Sequence, residues 1–188
     1  MIKIGITGSI ASGKTTASKI LSHKKAPLFS ADREVKKLYK NAGFRQLLAK
    51  NFNFKKKINL KNLLKREILN DELNIKKLEK IVHPFVRTQM KNFSWKNRKR
   101  KTLYYEIPLL IESKLMKYFD VIIFIKAKKK LRLKRFKSKG GDPKLFNIMN
   151  NKQFSDKKKI KYCDYVVVNE TNINILKQNL LGIIKLYA

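Results

Sequence analysis

The chain alternates short, nearly continuous apolar runs with longer segments in which apolar residues recur every three or four positions. The short runs are typical of strands that are covered on both faces, and the longer spacing is that of amphipathic helices. Strands that alternate with helices favour an α/β fold with a parallel sheet. The predicted strands are residues 2–7, 27–30, 102–107, 119–125 and 165–168.

The helical pattern extends over most of the remaining chain. A long helical region, residues 32–95, separates the second predicted strand from the third and is expected to be an insertion. Within it, Pro84 disfavours a helical conformation at the preceding residue, so we expect a helix to break near His83. A second insertion, expected to be mobile, covers residues 128–162. Other helices are predicted at residues 16–23, 128–139 and 173–186, and from Asp142-Pro143 onward.

A glycine-rich loop follows the first predicted strand, and residues 8–15 (GSIASGKT) match the Walker A pattern at every fixed position. Gly8 and Gly13 permit backbone conformations in which successive N–H groups converge on phosphate oxygens. The next helix starts at the loop and adds its positive dipole end. We expect Lys14 to reach the β- and γ-phosphates of ATP and the Thr15 hydroxyl to ligate Mg²⁺. The predicted nucleotide-binding residues of this segment are Gly8, Ala11, Ser12, Gly13, Lys14, Thr15 and Thr16.

Two acidic residues lie where predicted strands end. Asp32 follows the second strand and Glu106 ends the third, so either could lie at the carboxyl edge of the sheet, where ligands bind in open α/β folds. Each has a plain structural alternative. Asp32 also suits the N-cap of the helix that follows, and Glu106 could be a surface acid on an edge strand. The spacing alone leaves both alternatives open.

Length and composition limit the class of protein. A chain of 188 residues with 43% hydrophobic residues is a globular chain with one sizeable core. No apolar run approaches the roughly 18 residues of a membrane-spanning helix, and no signal-peptide pattern precedes the first strand. The single cysteine, Cys163, excludes an intramolecular disulfide and a cysteine-based zinc site. We therefore expect a cytoplasmic protein without a membrane partner.

The formal net charge of +33 bears on the expected partners. Clusters of lysine and arginine can bind nucleic acid. Here they are spread along the chain, and lysine, asparagine, isoleucine and phenylalanine are abundant together, which indicates a general compositional drift. We expect small anionic substrates, and no tight nucleic-acid binding near physiological salt. The clusters are residues 55–57, 98–101, 128–130 and 157–159.

Four motifs, in this order along the chain, resemble the dephospho-CoA kinase family. Residues 4–16 (IGITGSIASGKTT) resemble the opening strand and P-loop of that family. Ser30-Ala31-Asp32 resembles its Asp-Ala-Asp signature, with serine in place of the first acid. His83-Pro84 resembles its His-Pro pair, and residues 106–112 (EIPLLIE) resemble its Pro-Leu-Leu-x-Glu stretch. The ordered set is more specific than the P-loop alone.

The resemblance implies transfer of the ATP γ-phosphate to the 3′-hydroxyl of dephospho-CoA, the last step of CoA synthesis. It implies a P-loop kinase fold with a parallel five-stranded sheet. For the oligomeric state, monomer and small homo-oligomer both stay open. The alternatives are another small-molecule or nucleotide kinase of this fold and a basic nucleic-acid-binding NTPase. The implied parts are a core of residues 1–31, 96–127 and 163–188, a helical CoA-binding insertion of residues 32–95, and a lid of residues 128–162.

The resemblance also implies residue roles. Asp32 matches the acid that acts as a base or positions the acceptor hydroxyl, and it joins Lys14 and Arg135 as an expected catalytic residue. Asn169 matches a residue near adenine. For His83 the structural alternative is a helix cap or a packing residue. The expected acceptor-binding residues are Asp32, His83, Pro108 and Leu109.

The predicted lid departs from the family pattern. Of its Gln-x-x-Arg-x-x-x-Arg pattern, Arg135 is retained, whereas Lys139 replaces the second arginine and removes its planar fork. Of the later Arg-x-x-x-Gln pattern, Met149 replaces the arginine and Gln153 is retained. These changes make a slower enzyme conceivable, because a lysine binds phosphate with less geometric control.

Overall fold

The computed structural model of the chain describes residues 1–22, 26–54, 60–71 and 73–187. These residues contain a five-stranded parallel sheet, which confirms the predicted fold class, and the strand order is β2-β3-β1-β4-β5. His23, at the predicted end of the first helix, and the basic cluster at 55–57 lie outside the described residues. The strands are β1 Ile2–Thr7, β2 Leu28–Ser30, β3 Thr102–Glu106, β4 Val121–Lys126 and β5 Tyr165–Val168.

The helices follow the predicted order, with an additional short helix, α8, that the apolar pattern did not indicate. Several of them begin where a side chain caps the first turn: Asn41 accepts from Phe44 N–H, and Asp142 accepts from Lys144 N–H ahead of Pro143. The helices are α1 Lys14–Ser22, α2 Ala31–Leu38, α3 Ala42–Asn51, α4 Leu60–Asn70, α5 Leu73–Lys96, α6 Lys129–Lys137, α7 Pro143–Lys152, α8 Asp156–Ile160 and α9 Ile173–Lys185.

The predicted break near His83 is wrong, because α5 is one continuous helix of 24 residues that includes Pro84. Proline removes one backbone hydrogen bond and crowds the carbonyl one turn earlier, which disfavours a helix interior. Packing overrides this cost here. Val82, before the proline, is buried in the cluster formed with Phe44, and Val86, after it, packs against the same cluster. Both sides of Pro84 are therefore held by one apolar core.

The chain divides into two compact units, Met1–Ser30 with Ser94–Ala188, and Ala31–Phe93. In the first unit, fully buried side chains of β1 and β4, such as Ile6 and Ile123, pack with Leu176 and Leu180 of α9. In the second unit the core contains Phe44, Leu48, Leu64 and Val82. None of the described helices is long and apolar enough to cross a membrane. The boundaries of the expected insertion and lid stay predictions.

Candidate active site

The glycine-rich loop lies between β1 and α1, and β1 is flanked in the sheet by β3 and β4. Gly8 has φ +150° and Gly13 has φ +99°, both in the region that favours glycine. A Cβ at Gly8 would lie 2.4 Å from the Ile125 carbonyl oxygen, and one at Gly13 would lie 2.0 Å from Asn169 Nδ2. Glycine is therefore required at both positions by conformation and by space.

Ala11, in the middle of the loop, has φ +58°, which is unusual for a residue with a Cβ. The left-handed conformation costs about 1–2 kcal/mol and persists only where the surrounding structure holds it. Its neighbours are held: Ser12 N–H donates to the Ser9 carbonyl at 3.1 Å, and Asn169 Nδ2 donates to the Ser12 carbonyl at 2.8 Å. Hydrogen bonds therefore constrain the backbone of the loop around Ala11.

Lys14 is the first residue of α1, and it is buried. Its ammonium donates to the carbonyl oxygen of Ser9 at 3.0 Å, across the loop. The next residue, Thr15, is exposed. The loop therefore combines backbone N–H groups, the positive end of a helix and an ammonium fixed by a hydrogen bond. These are the groups that bind phosphate in proteins.

Glu106 ends β3 with only 2% of its surface exposed, and β3 lies between β2 and β1. The alternative of a surface acid on an edge strand is therefore wrong. Glu106 Oε1 accepts from the Thr15 hydroxyl at 2.5 Å, and Oε2 accepts from the Ser18 hydroxyl at 3.3 Å. Because the sequence does not give the strand order, only the position of Glu106 at a strand end could have signalled this arrangement.

Asp32 lies one residue inside α2, so it occupies the first turn and is not the residue before the helix. A carboxylate there is favoured by the helix dipole. The side chain is exposed. The chain enters α2 directly from β2, whose last residue, Ser30, is in register with Glu106 on β3.

Two arginines of α6 reach the loop. Arg135 Nη1 lies 3.4 Å from the Ser12 carbonyl oxygen, so this predicted catalytic residue lies beside the P-loop. Arg132 is buried and donates to the Ile10 carbonyl at 3.3 Å. Burial lowers the pKa of the Arg132 guanidinium from its ordinary value, against the opposing charge of Asp156.

The residues after α6 add two contacts that the sequence did not reveal. Gln153 Oε1 accepts from the Ile10 N–H at 2.8 Å, and the Asp156 carboxylate accepts from the Ser9 hydroxyl. Both join residues that are more than 140 positions apart in the chain. By contrast, Lys139 and Met149, which replace arginines of the family pattern, are exposed.

The predicted acceptor-binding residues lie in both compact units. Pro108 and Leu109 follow β3 and are half-buried, and the Pro108 carbonyl accepts from the Thr7 hydroxyl at 3.2 Å. His83 is half-buried in the middle of α5, so the helix-cap alternative is wrong. Burial lowers the pKa of His83 and the charge of Arg87 lowers it further, while Glu79 acts in the opposite direction. A lowered pKa favours the neutral form of the imidazole.

The sequence and the fold both resemble known proteins. A family model described as dephospho-CoA kinase matches residues 2–174. The dephospho-CoA kinase of Rickettsia typhi is 32% identical, over 98% of this chain and 97% of that protein. A crystal structure from Thermus thermophilus has a TM-score of 0.79 at 24% identity, covering 100% of this chain and 98% of its own. A dephospho-CoA kinase from Campylobacter jejuni has a TM-score of 0.64 at 22% identity, covering 99% and 97%.

Proposed function

The chain belongs to the dephospho-CoA kinase family, and we propose that it transfers the γ-phosphate of ATP to the 3′-hydroxyl of dephospho-CoA, giving CoA and ADP. The observation that carries this proposal is the family match over residues 2–174, which begins within β1 and includes the constrained P-loop. The loop supplies the ATP site, and the family match narrows the range of possible acceptors to dephospho-CoA. This match favours a dephospho-CoA kinase over the alternative of another kinase of the same fold.

The P-loop residues bind the phosphates of ATP in this proposal. Backbone N–H groups between Gly8 and Thr16 converge on the phosphate oxygens, and Lys14 neutralises charge that develops on the transferred group. Arg135, whose guanidinium lies beside Ser12, adds a second positive charge from the lid side. Asn169 packs against Gly13 and supports the loop near the nucleotide.

Thr15 and Glu106 are the residues that would hold Mg²⁺. The fit rests on the chemistry of their donors, since a hydroxyl and a carboxylate are oxygen ligands of the kind that this ion prefers, and they already meet at 2.5 Å. Held by these residues, the ion would supply positive charge that offsets the negative charge of the ATP phosphates during transfer. Ser18 would keep the Glu106 carboxylate oriented through its own hydroxyl.

Asp32 is the proposed base for the acceptor hydroxyl. A carboxylate can accept the hydroxyl proton as the oxygen attacks phosphorus, or it can orient the hydroxyl for an in-line attack. Its exposure and its position directly after β2, the neighbour of the strand that carries Glu106, support this role.

His83, Pro108 and Leu109 are the proposed contacts to the rest of the acceptor. In its neutral form, which the lowered pKa favours, the imidazole of His83 can donate and accept hydrogen bonds, and the half-buried Pro108 and Leu109 offer an apolar wall. Residues 32–95 would hold dephospho-CoA and residues 128–162 would act as the lid. We place the reaction in the cytoplasm, where ATP is available, and leave monomer and small homo-oligomer as alternatives.

An acceptor panel tests the proposal. With ATP and Mg²⁺, we expect dephospho-CoA to be phosphorylated with the highest kcat/KM, and adenosine poorly, because adenosine lacks the pyrophosphate and pantetheine groups that provide binding energy. ADP release, measured with each acceptor in turn, gives the ranking. Equal use of unrelated nucleoside monophosphates would instead indicate a different kinase of this fold.

A further inference from the structure

A fully buried lysine lies in a segment that the proposed chemistry does not use. Lys159, in α8, has a side chain with 0% exposure, and its ammonium meets Glu112 Oε1 at 2.8 Å. Glu112 follows β3 and is itself only 13% exposed. A buried ammonium is costly unless an opposite charge compensates it, so the two groups depend on each other. Lys159 belongs to the basic cluster at residues 157–159, in which Lys157 and Lys158 are exposed and Lys159 is buried.

Glu112 also holds the beginning of the same segment. The Oε1 atom that meets Lys159 accepts from the Phe154 N–H at 3.0 Å. One carboxylate therefore binds residues 154 and 159, at the two ends of a segment that contains the N-cap Ser155 and most of α8. Within that segment Lys158 Nζ lies 3.7 Å from the centre of the Phe154 ring, and Lys158 N–H donates to Ser155 Oγ at 3.3 Å.

The clamped segment and the residue before it bind the first half of the P-loop. Asp156 accepts from the Ser9 hydroxyl, and Gln153 accepts from the Ile10 N–H at 2.8 Å. Arg132, oriented by Asn150 Oδ1 at 2.8 Å, donates to the Ile10 carbonyl. Both polar groups of the Ile10 backbone therefore have a side-chain partner outside the loop.

These contacts bear on the strained residue of the loop. Ala11, with φ +58°, comes directly after Ile10. A non-glycine residue keeps this conformation only while its flanks are held. If Ser9 and Ile10 were released, Ala11 would be free to relax, and the N–H groups that follow it would no longer converge on one point.

We propose that the buried Glu112–Lys159 pair positions the P-loop. The pair fixes residues 154–159, so that Gln153 and Asp156 hold Ile10 and Ser9 in place. The inference rests on the proposed function in one respect, since it takes this loop to be the ATP site. It assigns the pair no contact with either substrate. Its effect is therefore expected on ATP affinity, with the KM for the acceptor unchanged.

Titration of the folded protein with ATP, without an acceptor, tests the positioning role of the Glu112–Lys159 pair. Lys159→Met and Asp156→Ala are each expected to weaken ATP binding about tenfold. The double variant should lose no more than the weaker-binding single variant, because both changes break the same connection. Lys117→Met is the matched control, since Lys117 is exposed, lies outside the proposed lid and acceptor-binding insertion, and has its ammonium 5.8 Å from the centre of the Tyr118 ring, so its ATP affinity should equal that of the wild type.

Two results would overturn the proposal: wild-type ATP affinity in a folded Lys159→Met or Asp156→Ala variant, and additive losses in the double variant. If Lys159→Met does not fold, the double substitution Glu112→Gln with Lys159→Met replaces it, because a neutral pair of similar shape leaves no uncompensated buried charge. Wild-type affinity in that variant would equally contradict the positioning role. Failure of the proposed function has a different signature, namely a chain that binds ATP and does not phosphorylate dephospho-CoA.

Discussion

Replacing Lys14 by alanine is expected to lower the rate of phosphoryl transfer by about a thousandfold or more while the fold persists. The Lys14 ammonium is held within the P-loop, where it donates to the Ser9 carbonyl oxygen at 3.0 Å. Without it, the negative charge that develops on the transferred phosphate loses a stabilising cation. Steady-state turnover with saturating dephospho-CoA, together with the melting temperature, measures both parts of this expectation.

Lys19→Ala provides the control for that experiment. Lys19 lies on the same helix, is exposed, and its backbone carbonyl still accepts from the Ser22 hydroxyl after substitution. We expect wild-type turnover from Lys19→Ala. If Lys14→Ala folded normally and retained wild-type turnover, the assignment of the P-loop as the ATP site would be wrong.

Replacing Asp32 by asparagine is expected to reduce kcat by about a hundredfold or more, with ATP binding nearly unchanged. Asparagine preserves the size of the side chain but cannot accept a proton from the acceptor hydroxyl at neutral pH. The measurement is kcat with dephospho-CoA beside the ATP dissociation constant of the same variant. A loss confined to kcat separates a role in proton transfer from a role in nucleotide binding.

Asp120→Asn is the matched control for Asp32→Asn. Asp120 is exposed and lies outside the proposed acceptor-binding insertion and lid; its Oδ2 accepts from the Lys3 N–H at 2.7 Å, and an asparagine amide oxygen can accept the same bond. This variant should therefore keep both its stability and its turnover. Near-wild-type kcat in Asp32→Asn would remove the catalytic role from Asp32 without affecting the assignment of the P-loop.

The sheet and the P-loop were predictable because their signals are local. The apolar run of β5, residues 165–168, was placed without error, and the glycine spacing of the loop indicated its conformation directly. Pro84 misled the prediction of α5, because local conformational preference favoured a break while the apolar core on both sides favoured continuity. A prediction from the spacing of apolar residues does not include the packing between separate helices.

The missed part of the site depends on contacts between distant parts of the chain. Glu106 meets Thr15 only because β3 and β1 are neighbours in the sheet, which the sequence does not state. The burial of Lys159 was hidden by its two exposed lysine neighbours, because a run of like charges is ordinarily a solvated surface. Its partner, Glu112, is 47 positions away and could not be paired with it from spacing.

The most direct measurement follows the γ-phosphate of ATP into the product. The purified chain is incubated with dephospho-CoA, Mg²⁺ and ATP that carries an isotopic label in its γ-phosphate, and the labelled product is identified by its chromatographic mobility and by NMR. We predict that the label appears on the ribose 3′-oxygen of CoA, and that a 3′-deoxy analogue of dephospho-CoA receives none. Label on another position, or equal labelling of the 3′-deoxy analogue, would contradict a 3′-hydroxyl kinase.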